Sequence, residues 1–118
     1  MRKVLPQELP FKEAVWASSI SSVMVASLIK GDIAKAGRMI EQDRFHERYR
    51  SKLIPELLQL REFAHKYGAY ATYLSGSGST IITLTPIDKT NELINAFPKN
   101  SKAAILNLSI ETQGSQQY

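Results

Sequence analysis

Ser75-Gly76-Ser77-Gly78-Ser79, flanked by Leu74 and Thr80, is where this 118-residue chain concentrates residue types able to do chemistry. Two glycines remove Cβ bulk and admit positive φ, so successive backbone N–H groups are free to converge on a phosphate or a carboxylate. The same composition serves equally as a plain β-hairpin turn, and the residues alone leave both readings open. Standard phosphate motifs are absent. No Gly-Lys-Ser/Thr follows the loop, and Gly76-x-Gly78 lacks the third glycine of the dinucleotide fingerprint. The run after the loop reads as a strand, so no helix dipole adds to its field.

The second candidate is the charged segment from Asp43 to Lys52, with Arg44, Arg48, Arg50 and Lys52 among Asp43, His46 and Glu47. A guanidinium grips a carboxylate through two parallel hydrogen bonds, a charged contact that contributes about 1.5–3 kcal/mol when shielded from water. A solvated face is the ordinary alternative. Asp43-x-x-His46-Glu47 is a poor metal motif, because the other histidine, His65, sits on a separate helix. Tyr49, Tyr70 and Tyr73 could stack bases, but no nucleic-acid module or basic stripe accompanies them.

Bulk composition bounds the function classes. With 43% hydrophobic residues the chain supports one compact domain with one core, and Lys plus Arg 15 against Asp plus Glu 11 gives +4, a mild excess that suits anionic ligands. The absence of cysteine excludes disulfides and thiolate metal sites. Ile20 to Ile29, the longest apolar stretch, is interrupted by Ser21, Ser22 and Ser27 and is too short to span a bilayer. The reading is therefore a cytoplasmic protein with no membrane and no nucleic-acid partner.

The elements that would position these residues follow from periodicity. Phe11, Val15, Trp16, Ile20, Met24 and Leu28 predict a helix over 11–30, apolar nearly all round near its end and so central in the core. Gly31 stops it and Asp32 caps the next, from Ile33 to about Asp43, with Ile33, Ala36, Gly37 and Ile40 as its buried stripe and Gly37 allowing close helix packing. Pro55 opens a third helix to Tyr67, with Leu57, Leu60, Ala64 and Tyr67 as its buried face, ended by Gly68. Tyr70–Leu74 and Thr80–Thr85 read as antiparallel strands around the loop. Asp88 would cap a helix from Lys89 to Phe97, and the alternation in Ala104–Ile110 predicts a third strand before a frayed tail from Glu111. The expected fold class is α+β, with helices packed on one face of a small antiparallel sheet.

Together, Arg2-Lys3-Val4-Leu5-Pro6, the long helix, Gly31-Asp32, the run from Asp43 through Pro55 and the loop from Leu74 to Thr80 closely resemble the C-terminal domain of the homoserine kinase branch of the GHMP kinase family. The resemblance runs from Arg2 to about Ile110. It implies a ferredoxin-like domain over 1–110 with a disordered tail over 111–118. That family transfers the ATP γ-phosphoryl group to a small-molecule hydroxyl, and the glycine-rich loop is shared across it, whereas the Arg50 segment marks the homoserine branch. Residue by residue, the resemblance implies that Arg2 and Arg50 bind the substrate carboxylate. It places Ser75, Gly76, Ser77, Gly78 and Ser79 beside the nucleotide phosphates. It implies no catalytic residue and no metal ligand in these residues. Where the family often has proline, this chain has Ser79.

Nothing here matches the family's nucleotide loop, of the Pro-x-x-x-Gly-Leu-Gly-Ser-Ser kind. The resemblance therefore implies a fragment, inactive and holding no cofactor alone, of a kinase that uses ATP and Mg2+ on homoserine in threonine biosynthesis. Its missing partner is an N-terminal nucleotide-binding domain. The family's sheet also has a strand before the Arg2 motif, so an uncovered edge and self-association into a homo-oligomer are expected. Two other readings stand beside this one: a stand-alone amino-acid-binding regulatory module without catalysis, and another GHMP small-molecule kinase.

Overall fold

The computed structural model describes residues 2–117, with the side chain of Arg2 outside what is described. After a 3-10 turn over Arg2–Val4, the elements in order are α1 (Phe11–Lys30), α2 (Ile33–Ile40), α3 (Glu47–Arg50), α4 (Glu56–Lys66), β1 (Ala71–Leu74), β2 (Ile81–Leu84) and α5 (Thr90–Ala96). Further 3-10 turns follow α3 and precede α5, over Ser51–Leu53 and Ile87–Lys89.

The corner between α1 and α2 forms as the residues dictate. Gly31 takes φ 79° and its N–H bonds back to Leu28, while the Asp32 carboxylate accepts the Lys35 N–H at 3.0 Å. Gly37 has a different use from the one expected. A Cβ there would collide with the backbone carbonyl of Tyr70, so the missing side chain lets α2 close onto the start of β1 and not onto another helix.

The core is built from small side chains where α2, α4 and β1 meet. Ala36, Ala64, Ala71 and Thr72 are fully buried, with Leu57 the largest apolar residue among them. The α4 stripe is as its spacing predicts, and Phe63 extends it, its ring tilted against Tyr67 and edge-on against Phe97 beyond α5. β1 and β2 pair antiparallel, with Ala71 opposite Leu84 and Leu74 opposite Ile81.

Three expectations are corrected. α1 is not central: Ala17 and Ser27 are its buried residues, and Phe11 is 85% exposed. The reason is length, since α2, at eight residues, runs about 12 Å beside the roughly 30 Å of α1 and cannot cover it. Residues 104–110 form no strand, and Leu106, Leu108 and Ile110 stand in solvent. Alternation chooses faces but supplies no partner, and the outer edge of β1 is taken up by side chains. Asp88 lies inside the 3-10 turn and makes no cap; the Thr90 hydroxyl instead donates to the Pro86 carbonyl at 3.1 Å.

Candidate functional site

The charged segment does not remain a solvated run. The Asp43 carboxylate accepts the N–H groups of Phe45, His46 and Glu47 at 2.9, 3.3 and 3.0 Å, satisfying backbone donors at the start of α3. On so short a helix, Glu47 and Arg50 lie three residues apart and share a face. That face turns inward, and each residue is only 8% exposed.

Arg50 donates from Nη1 to the Gly76 carbonyl at 2.9 Å. The two candidate sites are thus one: the buried guanidinium sits against the glycine-serine loop. Among the described residues, Arg50 Nε is buried with no hydrogen-bond partner. A buried charged donor without an acceptor is costly unless something completes it, so the guanidinium retains capacity for an anion.

The loop itself is a closed hairpin end with free donors. Ser75 N–H bonds to the Thr80 carbonyl at 2.9 Å and Gly78 N–H to the Ser75 carbonyl at 3.2 Å. Gly76 and Gly78 take φ 60° and 89°, the left-handed region that glycine reaches without steric cost. Among the described residues, the amides of Gly76, Ser77 and Ser79 carry no hydrogen bond, and the space beside Gly76 is open. Such donors suit phosphate oxygens. The loop has no carboxylate to offer a divalent cation.

Two residues behind this site, Glu41 and Arg61, escaped the sequence reading, and a third, Glu47, entered it only within the charged segment and its poor metal motif. The register of the hairpin turns Thr72 and Leu74 away from β2, and their backbone groups meet side chains instead of a strand. Glu41 Oε1 accepts Thr72 N–H at 2.7 Å, Glu47 Oε2 accepts Leu74 N–H at 3.2 Å, and Arg61 donates from Nε and Nη2 to the Thr72 carbonyl at 2.9 and 2.7 Å. Arg61 also pairs with Glu47 and, at 3.4 Å, with Glu41. The available signal was an acidic residue one helical turn before Arg50 on its own face, which the dense charge of the segment masked.

His65 joins the same network, with Nε2 2.9 Å from the Glu41 carboxylate and Nδ1 3.1 Å from the Ala69 carbonyl. His46 stands outside it, half exposed and 3.6 Å from Asp43. Arg44 and Arg48 are engaged elsewhere. Both pair with Glu13 of α1, at 3.1 and 3.3 Å, and Arg44 lies over the Trp16 ring. An open cleft of about 360 Å³ runs beside these residues, lined by four carboxylates and three guanidinium groups that are already engaged in the bonds described above. Arg2 begins the first 3-10 turn, and its predicted role falls on a side chain outside the described residues.

Residues 24–103 match the family model described as GHMP kinases C terminal. The homoserine kinase of Lactococcus lactis subsp. lactis strain IL1403 is 50% identical over 116 residues, which is 98% of this chain and 39% of that one. That of Enterococcus faecalis strain V583 is 44% identical over 118 residues, 99% of this chain and 41% of the other. Among solved structures, the homoserine kinase of Cytophaga hutchinsonii superposes with a TM-score of 0.69 at 30% identity, covering 78% of this chain and 29% of that one. This chain therefore spans about two fifths of the length of the curated relatives it matches.

Proposed function

Because the chain belongs to the GHMP kinase C-terminal family, we propose that it is the substrate-side part of an ATP-dependent homoserine kinase, serving threonine biosynthesis in the cytoplasm. The observation that carries this reading is the placement of Arg50: a buried guanidinium, incompletely bonded, held on a glycine-serine loop with free amides. One group addresses a carboxylate and the other addresses phosphate oxygens. A molecule bearing both a carboxylate and a phosphorylatable hydroxyl matches the pair.

In this mechanism Arg50, joined by Arg2, orients the amino acid by its carboxylate so that the side-chain hydroxyl faces the phosphoryl donor, and most of the catalytic gain from this domain comes from that orientation. The loop amides of Gly76, Ser77 and Ser79 approach the phosphate oxygens and offset developing negative charge. ATP supplies the phosphoryl group when bound. Mg2+ and the remaining nucleotide contacts fall to an N-terminal nucleotide-binding part, since the loop brings no carboxylate.

The test is steady-state ADP release by the full-length protein that contains this chain. L-homoserine, 3-aminopropan-1-ol, which lacks only the carboxylate, and an isoprenoid alcohol are compared. L-homoserine turns over, and the amino alcohol loses at least about a hundredfold in kcat/KM, the scale of losing a buried charged hydrogen-bonded pair. Equal use of the isoprenoid alcohol would overturn the homoserine assignment while leaving the phosphoryl-transfer chemistry standing.

A further inference from the structure

Arg50 and the loop do not hold each other in place unaided. Arg50 reaches Gly76 through a single carbonyl contact, and the helix that carries it is four residues long, too short to be stable by its own hydrogen bonds. Something must fix α3 against the sheet at the point where the loop leaves it.

We infer that Glu47 is the positioning residue for Arg50 and the loop. Its two carboxylate oxygens act on different elements. Oε2 accepts the N–H of Leu74, the last residue of β1 before the loop. Oε1 pairs with the Arg61 guanidinium, which is itself anchored on the Thr72 carbonyl of the same strand. α3 is therefore clamped to β1 at Glu47 and to the loop at Arg50, one helical turn apart on one face. With Glu47 in place, the distance from the loop amides to the guanidinium is set by backbone geometry. Without it, among the described residues the Arg50–Gly76 bond is the one side-chain hydrogen bond left from α3 to the hairpin.

The geometry of the clamp stands by itself; its consequence for an amino-acid ligand rests on the function proposed above. The full-length protein that contains this chain, 15N-labelled, reports both separately. Leu74 N–H faces away from β2 and has the Glu47 carboxylate as its acceptor, so in the unsubstituted chain it exchanges with solvent more slowly than the amides of Gly76 and Ser77. Exchange at Leu74 as fast as at those loop amides would overturn the clamp with no substitution needed.

In Glu47→Gln, the Arg50 Nε–H resonance and the Gly76 amide shift and broaden. L-homoserine, titrated as the probe, binds about tenfold more weakly, the scale on which removing an orienting partner acts. Glu47→Asp, which keeps the charge on a shorter arm, gives an intermediate effect and replaces the first variant if that one does not fold. A fall in melting temperature with Arg50 Nε–H and Gly76 unchanged would make Glu47 merely structural and end the proposal. If the unsubstituted full-length protein ignores L-homoserine while the resonances still respond to Glu47→Gln, the functional reading fails and the clamp survives.

Discussion

At the scale of single residues, a buried guanidinium decides what the site can hold. Arg50 contributes five N–H donors in a planar fork, of which one meets Gly76. On the proposed function, Arg50→Lys in the full-length protein replaces that fork by a point charge and is expected to raise KM for L-homoserine by about ten- to a hundredfold, with a smaller change in kcat, because the two-pronged carboxylate grip proposed for it would contribute about 1.5–3 kcal/mol. Initial-rate kinetics over a range of L-homoserine concentrations check this. Gly37 makes a contrasting case in which a missing side chain matters. Gly37→Ala pushes a methyl group into the Tyr70 carbonyl and destabilises the chain by about 1–3 kcal/mol, read as an earlier midpoint in urea.

At the scale of elements, β1 owes its position to carboxylates and a guanidinium as much as to β2. Its outward backbone groups at Thr72 and Leu74 would be unpaired without Glu41, Glu47 and Arg61. Arg61→Met leaves two largely buried carboxylates facing each other and the Thr72 carbonyl unbonded, a loss of about 3–5 kcal/mol of stability. Chemical denaturation measures it, and a loss below about 1 kcal/mol would mean that water replaces the guanidinium. The start of α3 depends on one residue. Asp43→Ala strips the acceptor from three backbone N–H groups and costs about 0.5–2 kcal/mol, and α3 loosens first in hydrogen exchange.

At the scale of the whole molecule, the proposed function assigns this chain one half of a reaction. On that proposal the loop's free amides meet phosphate from one side and Arg50 grips a carboxylate, and the remaining nucleotide contacts come from the rest of the full-length protein. The 118 residues alone, mixed with ATP, Mg2+ and L-homoserine, release no ADP above the blank. The full-length protein does, under the same coupled assay. ADP release by the isolated chain would show that the loop and its surroundings suffice.

Local physics determined much of this molecule directly from its residues. Helix stops and starts at Gly31, Asp32, Pro55 and Gly68, the α4 stripe and the hairpin around the loop all depend on neighbours within a few positions, and periodicity and capping read such neighbours well. The resemblance carried by the Arg50 segment and the loop likewise led to the family. What waited for the tertiary structure was every question of pairing across distance. The pattern in 104–110 could not show that no strand edge would receive it, and the apolar face of α1 could not show that α2 is too short to cover it. Nor could the charge of 43–52 show that Glu47 and Arg50 turn inward while Arg44 and Arg48 turn to Glu13. A charged side chain is buried only where a specific partner compensates its lost water, and those partners, Leu74 N–H, Arg61 and Gly76, lie 14 to 27 positions along the chain.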